Sequence, residues 1–213
     1  MKKITLCALV LGWALVSTAA TPKTFSGEAQ KIQEQLEKLF DASKQVNASG
    51  PERKAARDKI ENAMEWEQVA KDCLGLKEWN KTSAANRNTY RDLLRDVVVK
   101  TAFTRLDKFW DGAKYSFTDI KVTGNKAQAT AKYVVKGDDF SLDYYLMKKG
   151  NGWTIYDIAF EEIRYSENIR EQITSFLKDK GFPNLIDKLK KRRQELDEGK
   201  TAKAPTAKKT ANG

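Results

Sequence analysis

From Lys114 onward the spacing of apolar residues changes from helical to alternating, and this change constrains the fold more than any other feature of the chain. Lys114 to Val122, Lys126 to Lys136, Phe140 to Lys148 and Trp153 to Ile163 are period-two segments separated by T-G-N, G-D-D and G-N-G. Alternation sends successive side chains to opposite faces, and short glycine-bearing connections favour hairpins. The four segments therefore predict a four-stranded antiparallel meander. Apolar parity switches between Phe117 and Ile120, which predicts a bulge in the first strand. Ala127, Ala129, Ala131, Tyr133 and Val135 share one face of the second strand, and Phe140, Leu142, Tyr144 and Leu146 the matching face of the third. Small residues on an inward face receive helices at close approach or leave room; close packing is the expectation. In the last segment strict alternation puts Thr154, Tyr156, Ile158 and Phe160 on one side and Trp153, Ile155 and Ala159 on the other, so both faces need cover.

Helices flank this sheet in the sequence. Ile32, Leu36, Leu39, Phe40 and Val46 form an amphipathic stripe ending at N-A-S-G-P, and a polar helix follows through Ala63. Trp66 to Leu74 is a short helix stopped by Gly75, and Thr82 or Ser83 can cap a long one from Ala84 to Trp110. That helix is apolar around much of its circumference: Tyr90, Leu93, Leu94 and Val97 mark one face, while Val99, Phe103, Leu106 and Trp110 mark another. After the sheet, Ser166–Lys180 and Asn184–Glu198 are two helices separated by Gly181-Phe182-Pro183. Helices before and after an antiparallel sheet define an α+β domain.

The N-terminus, M-K-K followed by an apolar run from Ile4 to Val16 and small residues to Ala20, is expected to be a secretory signal peptide over residues 1–20. Its removal takes Cys7 and leaves Cys73 as the single thiol, which excludes an intramolecular disulfide. The net charge of +10 is concentrated at the ends. Lys188 to Gly213 holds nine Lys/Arg against three Asp/Glu, and the leader holds two lysines, so Ile4 to Asp187 carries only +2. Nucleic acid is therefore not the expected partner. Residues 199–213, rich in Ala, Lys and Thr, are expected to be a disordered basic tail, leaving 21–198 as one domain.

The absence of histidine removes Ser-His-Asp and Cys-His catalysis and imidazole metal sites, and the single mature cysteine removes thiolate zinc sites. No glycine-rich phosphate loop is present. Carboxylate and tyrosine chemistry survives through Asp143, Asp157, Tyr144 and Tyr156 in neighbouring strands.

Two stretches, Met64 to Leu106 and Gly152 to Ile173, carry a family resemblance. The first has a short helix ending in L-G, a tryptophan, a T/S-capped helix start with an arginine soon after, and an aromatic followed by L-L. In the second, Trp153, Ile155, Tyr156, Asp157, Ile158, Asn168 and Arg170 follow in order. The chain resembles the MlaC-type (toluene-tolerance) periplasmic phospholipid-binding proteins. It departs from their pattern at Glu162 and Arg164, where glycine and serine are usual, and at Ile169, where an aromatic is usual.

This resemblance implies a cone-like apolar cavity between sheet and helices, a phospholipid cargo and no cofactor or resident metal. It also implies a monomeric carrier working between an outer-membrane lipoprotein complex and an inner-membrane ABC transporter with an MCE-domain component. The residues expected to line the cavity are Leu94, Val97, Val98, Phe103, Tyr133, Val135, Leu142, Tyr144, Leu146, Tyr156, Ile158, Ile173 and Phe176. The rival reading is a small cone-fold enzyme, which requires Asp143 or Asp157 to face that cavity.

Overall fold

The computed structural model describes residues 23–103 and 112–199. The expected signal peptide, the tail beyond Gly199, and the end of the expected Ala84–Trp110 helix, with Leu106 and Trp110, lie outside the described residues.

Before the sheet come α1 (Gly27–Ser43), α2 (Pro51–Asn62), α3 (Trp66–Leu74), α4 (Leu76–Lys81) and α5 (Ala84–Phe103). Ile32, Leu36 and Phe40 recur at four-residue steps along α1, which stacks them on one stripe, and all three are buried. Each contributes roughly 1.5–3 kcal/mol through removal from water. Gly75, with φ of 82°, ends α3 and opens α4. The six-residue α4 is too short to show a period and is not foreseen from apolar spacing. Thr82 Oγ1 donates to the Glu78 carbonyl at 2.8 Å, closing α4, whereas Ser83 Oγ accepts the Asn86 N–H at 3.4 Å, opening α5. Of the two expected caps, Ser83 is the one used.

The sheet is a meander in the order β1 (Lys114–Thr123), β2 (Lys126–Val135), β3 (Asp138–Lys149), β4 (Gly152–Phe160), β5 (Ile163–Arg164). It has five strands where four were expected. The expected last strand is broken because Glu161 and Glu162 take left-handed φ values of 50° and 68° and fold Ile163 back against Phe160. The expected bulge in β1 lies between Phe117 and Asp119.

A second bulge was not legible from alternation. Tyr145 pairs with Asp157 and Leu146 with Ile155, leaving Tyr156 without a partner opposite it in the ladder. The extra residue inverts the parity of β4. Ile158 and Phe160 therefore share a face with Ile155 and Trp153, while Tyr156, Asp157 and Ala159 belong to the other. The strict-alternation assignment of this strand is corrected accordingly.

Buried residues form three clusters. The first joins α1 to one sheet face, packing Ile32, Leu36 and Phe40 against Ala127, Ala129, Ala131, Tyr133, Leu146 and Ile155. The alanines thus admit a helix at close range, as expected. The second unites α3, α4, α5 and the final helix α6 (Tyr165–Asp197), through Cys73, Trp79, Tyr90, Leu94, Ile173 and Leu185. The third holds Ala42, Val46, Ala56 and Phe103. The break expected within the C-terminal helices falls at Gly181, whose φ of 76° interrupts α6.

The edge of β4 is partly covered: Ile155 N–H donates to Ala63 C=O and Glu65 N–H to Ile155 C=O, both at 2.8 Å. Glu28 ties the start of α1 to the sheet. Its carboxylate accepts from Lys31 Nζ at 2.8 Å and Trp153 Nε1 at 3.0 Å, with Lys148 Nζ at 3.4 Å. The Lys31 hydrogen bond first, then that of Trp153, holds its pKa down at about 2. A depressed folded-state pKa supplies stability above the ordinary value of 4.5 and loses it as pH falls towards 2. Glu28→Gln is expected to flatten the acid limb of the stability curve in that window, as followed by circular dichroism during acid titration; an unaltered limb would show that the contact contributes nothing in solution.

Candidate functional site

The register places a continuous apolar surface across the last three strands. Tyr144 is opposite Ile158, Leu142 opposite Phe160, and Phe160 opposite Ile163, all on the face that packs α1 elsewhere. Leu142, Tyr144 and Ile158 are half-buried, while Phe160 and Ile163 keep 50% and 64% of their surface accessible. Contiguous accessible apolar side chains on a folded sheet mark a binding surface.

An aromatic row extends this face towards β1. Ring centroids lie 5.3 Å apart for Phe160 and Phe140, 5.5 Å for Phe140 and Tyr133, and 5.8 Å for Tyr133 and Tyr115. Phe40 of α1 packs on Tyr115 with centroids 4.1 Å apart and the rings tilted by 53°. At this end of the sheet an open cleft of about 630 Å³ adds Lys114, Ser116, Lys132, Ser141 and Glu161.

Tyr165, at the start of α6, lies apart from this face, beside Cys73 and Tyr90 of the helical cluster; desolvation first, then Cys73, raises its phenol to about 12. On the face itself Tyr144 keeps some accessible surface, and desolvation pushes its phenol up to about 12. Tyr133 is raised further, by burial and by its hydroxyl contact with Tyr144 at 2.6 Å.

The opposite face at the same junction is polar and locked. Asp157 is buried; its Oδ1 accepts the Ser166 N–H at 3.1 Å and its Oδ2 the Ser166 hydroxyl at 2.6 Å. Arg164 Nε lies 2.9 Å from Oδ2, and its guanidinium stacks 4.1 Å from the Tyr145 ring and 5.8 Å from that of Tyr156. Asp157 thereby holds the first turn of α6, where a carboxylate also meets the positive end of the helix dipole. Arg164, a departure from the family pattern, is thus the partner of a buried carboxylate.

Glu162, a further departure, shares with Glu161 the backbone cost of the left-handed turn. Glu162→Gly is expected to raise stability by about 1 kcal/mol because glycine adopts positive φ without strain. A thermal midpoint that stays put or falls in that variant would show that the turn is unstrained.

The expected lining residues fall into separate places. Tyr133, Val135, Leu142, Tyr144, Leu146 and Ile158 belong to the sheet-face cluster. Leu94, Val98, Ile173 and Phe176 belong to the helical cluster, and Phe103 to the third. Val97 is half-buried on α5. Tyr156 stands on the opposite face, beside Tyr145 and Arg164. Sequence reasoning missed Phe160 and Ile163 as candidate residues of this face; the glutamate pair that reverses the chain gives no recognisable turn signal.

Little chemistry is available beside this surface. Asp143 and Asp157 both project from the other face, and Asp143 Oδ1 accepts from Thr130 Oγ1 at 2.5 Å. Cys73 is buried, and burial pushes its thiol up to about 12, so it is no nucleophile near neutral pH. No cluster of acidic or thiol side chains among the described residues is suited to a metal. No helix among them is long and apolar enough to cross a membrane.

The family model for the MlaC protein matches residues 27–191. Among solved structures the fold is similar to that of the phospholipid-binding protein from Ralstonia solanacearum in complex with a phospholipid. The two agree with a TM-score of 0.67 at 15% identity, over 81% of this chain and 99% of that one. A search of curated proteins finds no match.

Proposed function

Because the chain belongs to the MlaC family, matched over residues 27–191, we propose that it is a periplasmic phospholipid carrier and not an enzyme. The observation that carries this reading is the contiguous, partly accessible apolar face of Leu142, Tyr144, Ile158 and Phe160, in a fold shared with a phospholipid-bound protein. Acyl chains lie against this face and the headgroup stays near solvent. Asp143 and Asp157 both project from the other face, which favours the carrier over the enzyme reading that needs one of them here.

Exposing a lipid to water explains the need for such a container. Burial is worth about 0.8 kcal/mol per methylene, so two chains of about fifteen methylenes each represent on the order of 24 kcal/mol. Lipid crosses an aqueous compartment only inside a carrier. The family resemblance supports an outer-membrane lipoprotein complex and an inner-membrane ABC transporter as the two exchange partners. Net movement between them requires a difference in affinity, since a carrier alone sets no direction.

The test is to purify the protein without detergent, extract it with organic solvent and identify the lipid by mass spectrometry. Stoichiometric phospholipid is expected. A protein that contains none, and takes none from phospholipid vesicles, would refute the carrier reading.

A further inference from the structure

On the apolar face, one polar feature stands apart. The hydroxyls of Tyr133 and Tyr144 meet at 2.6 Å, between two neighbouring strands and four residues out of direct register, since Tyr133 is paired with Phe140 and Tyr144 with Ala129. The small side chains of Ala129 and Ala131 leave the space over which two such long side chains can reach each other. Every direct neighbour of Tyr144 on this face is apolar: Ala129 and Ile158 across the strands, Leu142 and Leu146 along its own. A hydroxyl in such surroundings needs hydrogen-bond partners, and an unmet donor is costly.

Proton placement follows from the environments. Tyr133 is buried whereas Tyr144 keeps accessible surface, so the arrangement that leaves no buried donor unmet has Tyr133 donating to Tyr144. Tyr144 accepts that bond and keeps its own hydrogen, on a side chain that retains accessible surface. The matching ligand group is a neutral acceptor oxygen, because among the described residues no lysine or arginine flanks Tyr144 across the strands on this face to offset a buried anion.

Building on the carrier reading, we propose that Tyr144 donates a hydrogen bond to an acyl-ester carbonyl of the bound glycerophospholipid, and that Tyr133 is the positioning residue that aims it. The apolar wall accepts any hydrocarbon chain, whereas this hydroxyl distinguishes an ester-linked lipid from one without the carbonyl. A site built around a donor discriminates against ligands that leave it unpaired.

The experiment offers delipidated protein mixed vesicles of a diacyl phosphatidylethanolamine and the dialkyl ether lipid of equal chain length and headgroup, then measures the extracted ratio. Wild-type protein is expected to favour the ester lipid by about fivefold to tenfold, the size of one net hydrogen bond. Tyr144→Phe should bring the ratio to that in the vesicles. Tyr133→Phe, a second variant should the first misfold, should reduce the preference because Tyr144 loses the bond that orients it. A wild-type protein without preference, or a folded Tyr144→Phe protein that keeps it, overturns the assignment. Equal weakening of both lipids in Tyr144→Phe also overturns it and points to the headgroup phosphate as acceptor. Uptake of neither lipid by the wild type overturns the carrier reading, and this assignment with it.

Discussion

Replacing Asp157 with alanine is expected to destabilise the protein by about 3–5 kcal/mol, the cost of removing one partner from a buried charge pair. The carboxylate is almost fully enclosed and serves Ser166 through both backbone and side chain, with Arg164 Nε at 2.9 Å. Its loss leaves the Arg164 charge between two tyrosine rings without a counter-ion and the first turn of α6 without its acceptor. Urea unfolding at neutral pH measures the effect, and the double replacement of Asp157 by alanine and Arg164 by methionine should recover part of it. A single-variant loss below about 1 kcal/mol would place the pair in the class of weak surface bridges and refute the lock. Any loss of function on mutating Asp157 therefore reports the joint between sheet and helix before it reports chemistry.

The second large effect concerns cargo. Ile158→Glu puts a carboxylate into the middle of the apolar face, beside Tyr144. Covering that charge with acyl chains removes it from water without a partner, at a cost of several kcal/mol. Co-purifying phospholipid should be abolished, while the half-buried position lets the chain still fold. Leu94→Ala is the contrast: Leu94 sits in the helical cluster, so the variant should lose about 2–5 kcal/mol of stability yet retain lipid. A folded Ile158→Glu protein loaded with lipid at the wild-type level would mean that the acyl chains lie against another wall.

These two residues illustrate what alternation can and cannot convey. Both lie in one strand, and strict parity puts Asp157 with Trp153 and Ile155, and Ile158 with Tyr156. The bulge opposite Tyr145 and Leu146 reverses that arrangement, turning the carboxylate towards α6 and Ile158 towards the apolar wall. The bulge in β1 was readable because Phe117 and Ile120 are both apolar and must face the same core. In β4 nearly every residue has apolar area, so the slip has no signature in composition. The fifth strand was hidden similarly: Glu161 and Glu162 do not resemble the glycine or asparagine that such a turn favours.

The sequence by itself determined the α+β order, the hairpin connections, the stripe of α1, the break at Gly181 and the family, because these depend on local periodicity, turn residues and short motifs. The tertiary structure alone decided which of the apolar residues became core and which remained accessible. Leu94 and Ile158 are equally apolar in the sequence, but one is sealed among helices and the other is left half-covered on the sheet. That difference depends on where distant segments pack and on one extra residue in a ladder, neither of which is encoded in the neighbours of either residue.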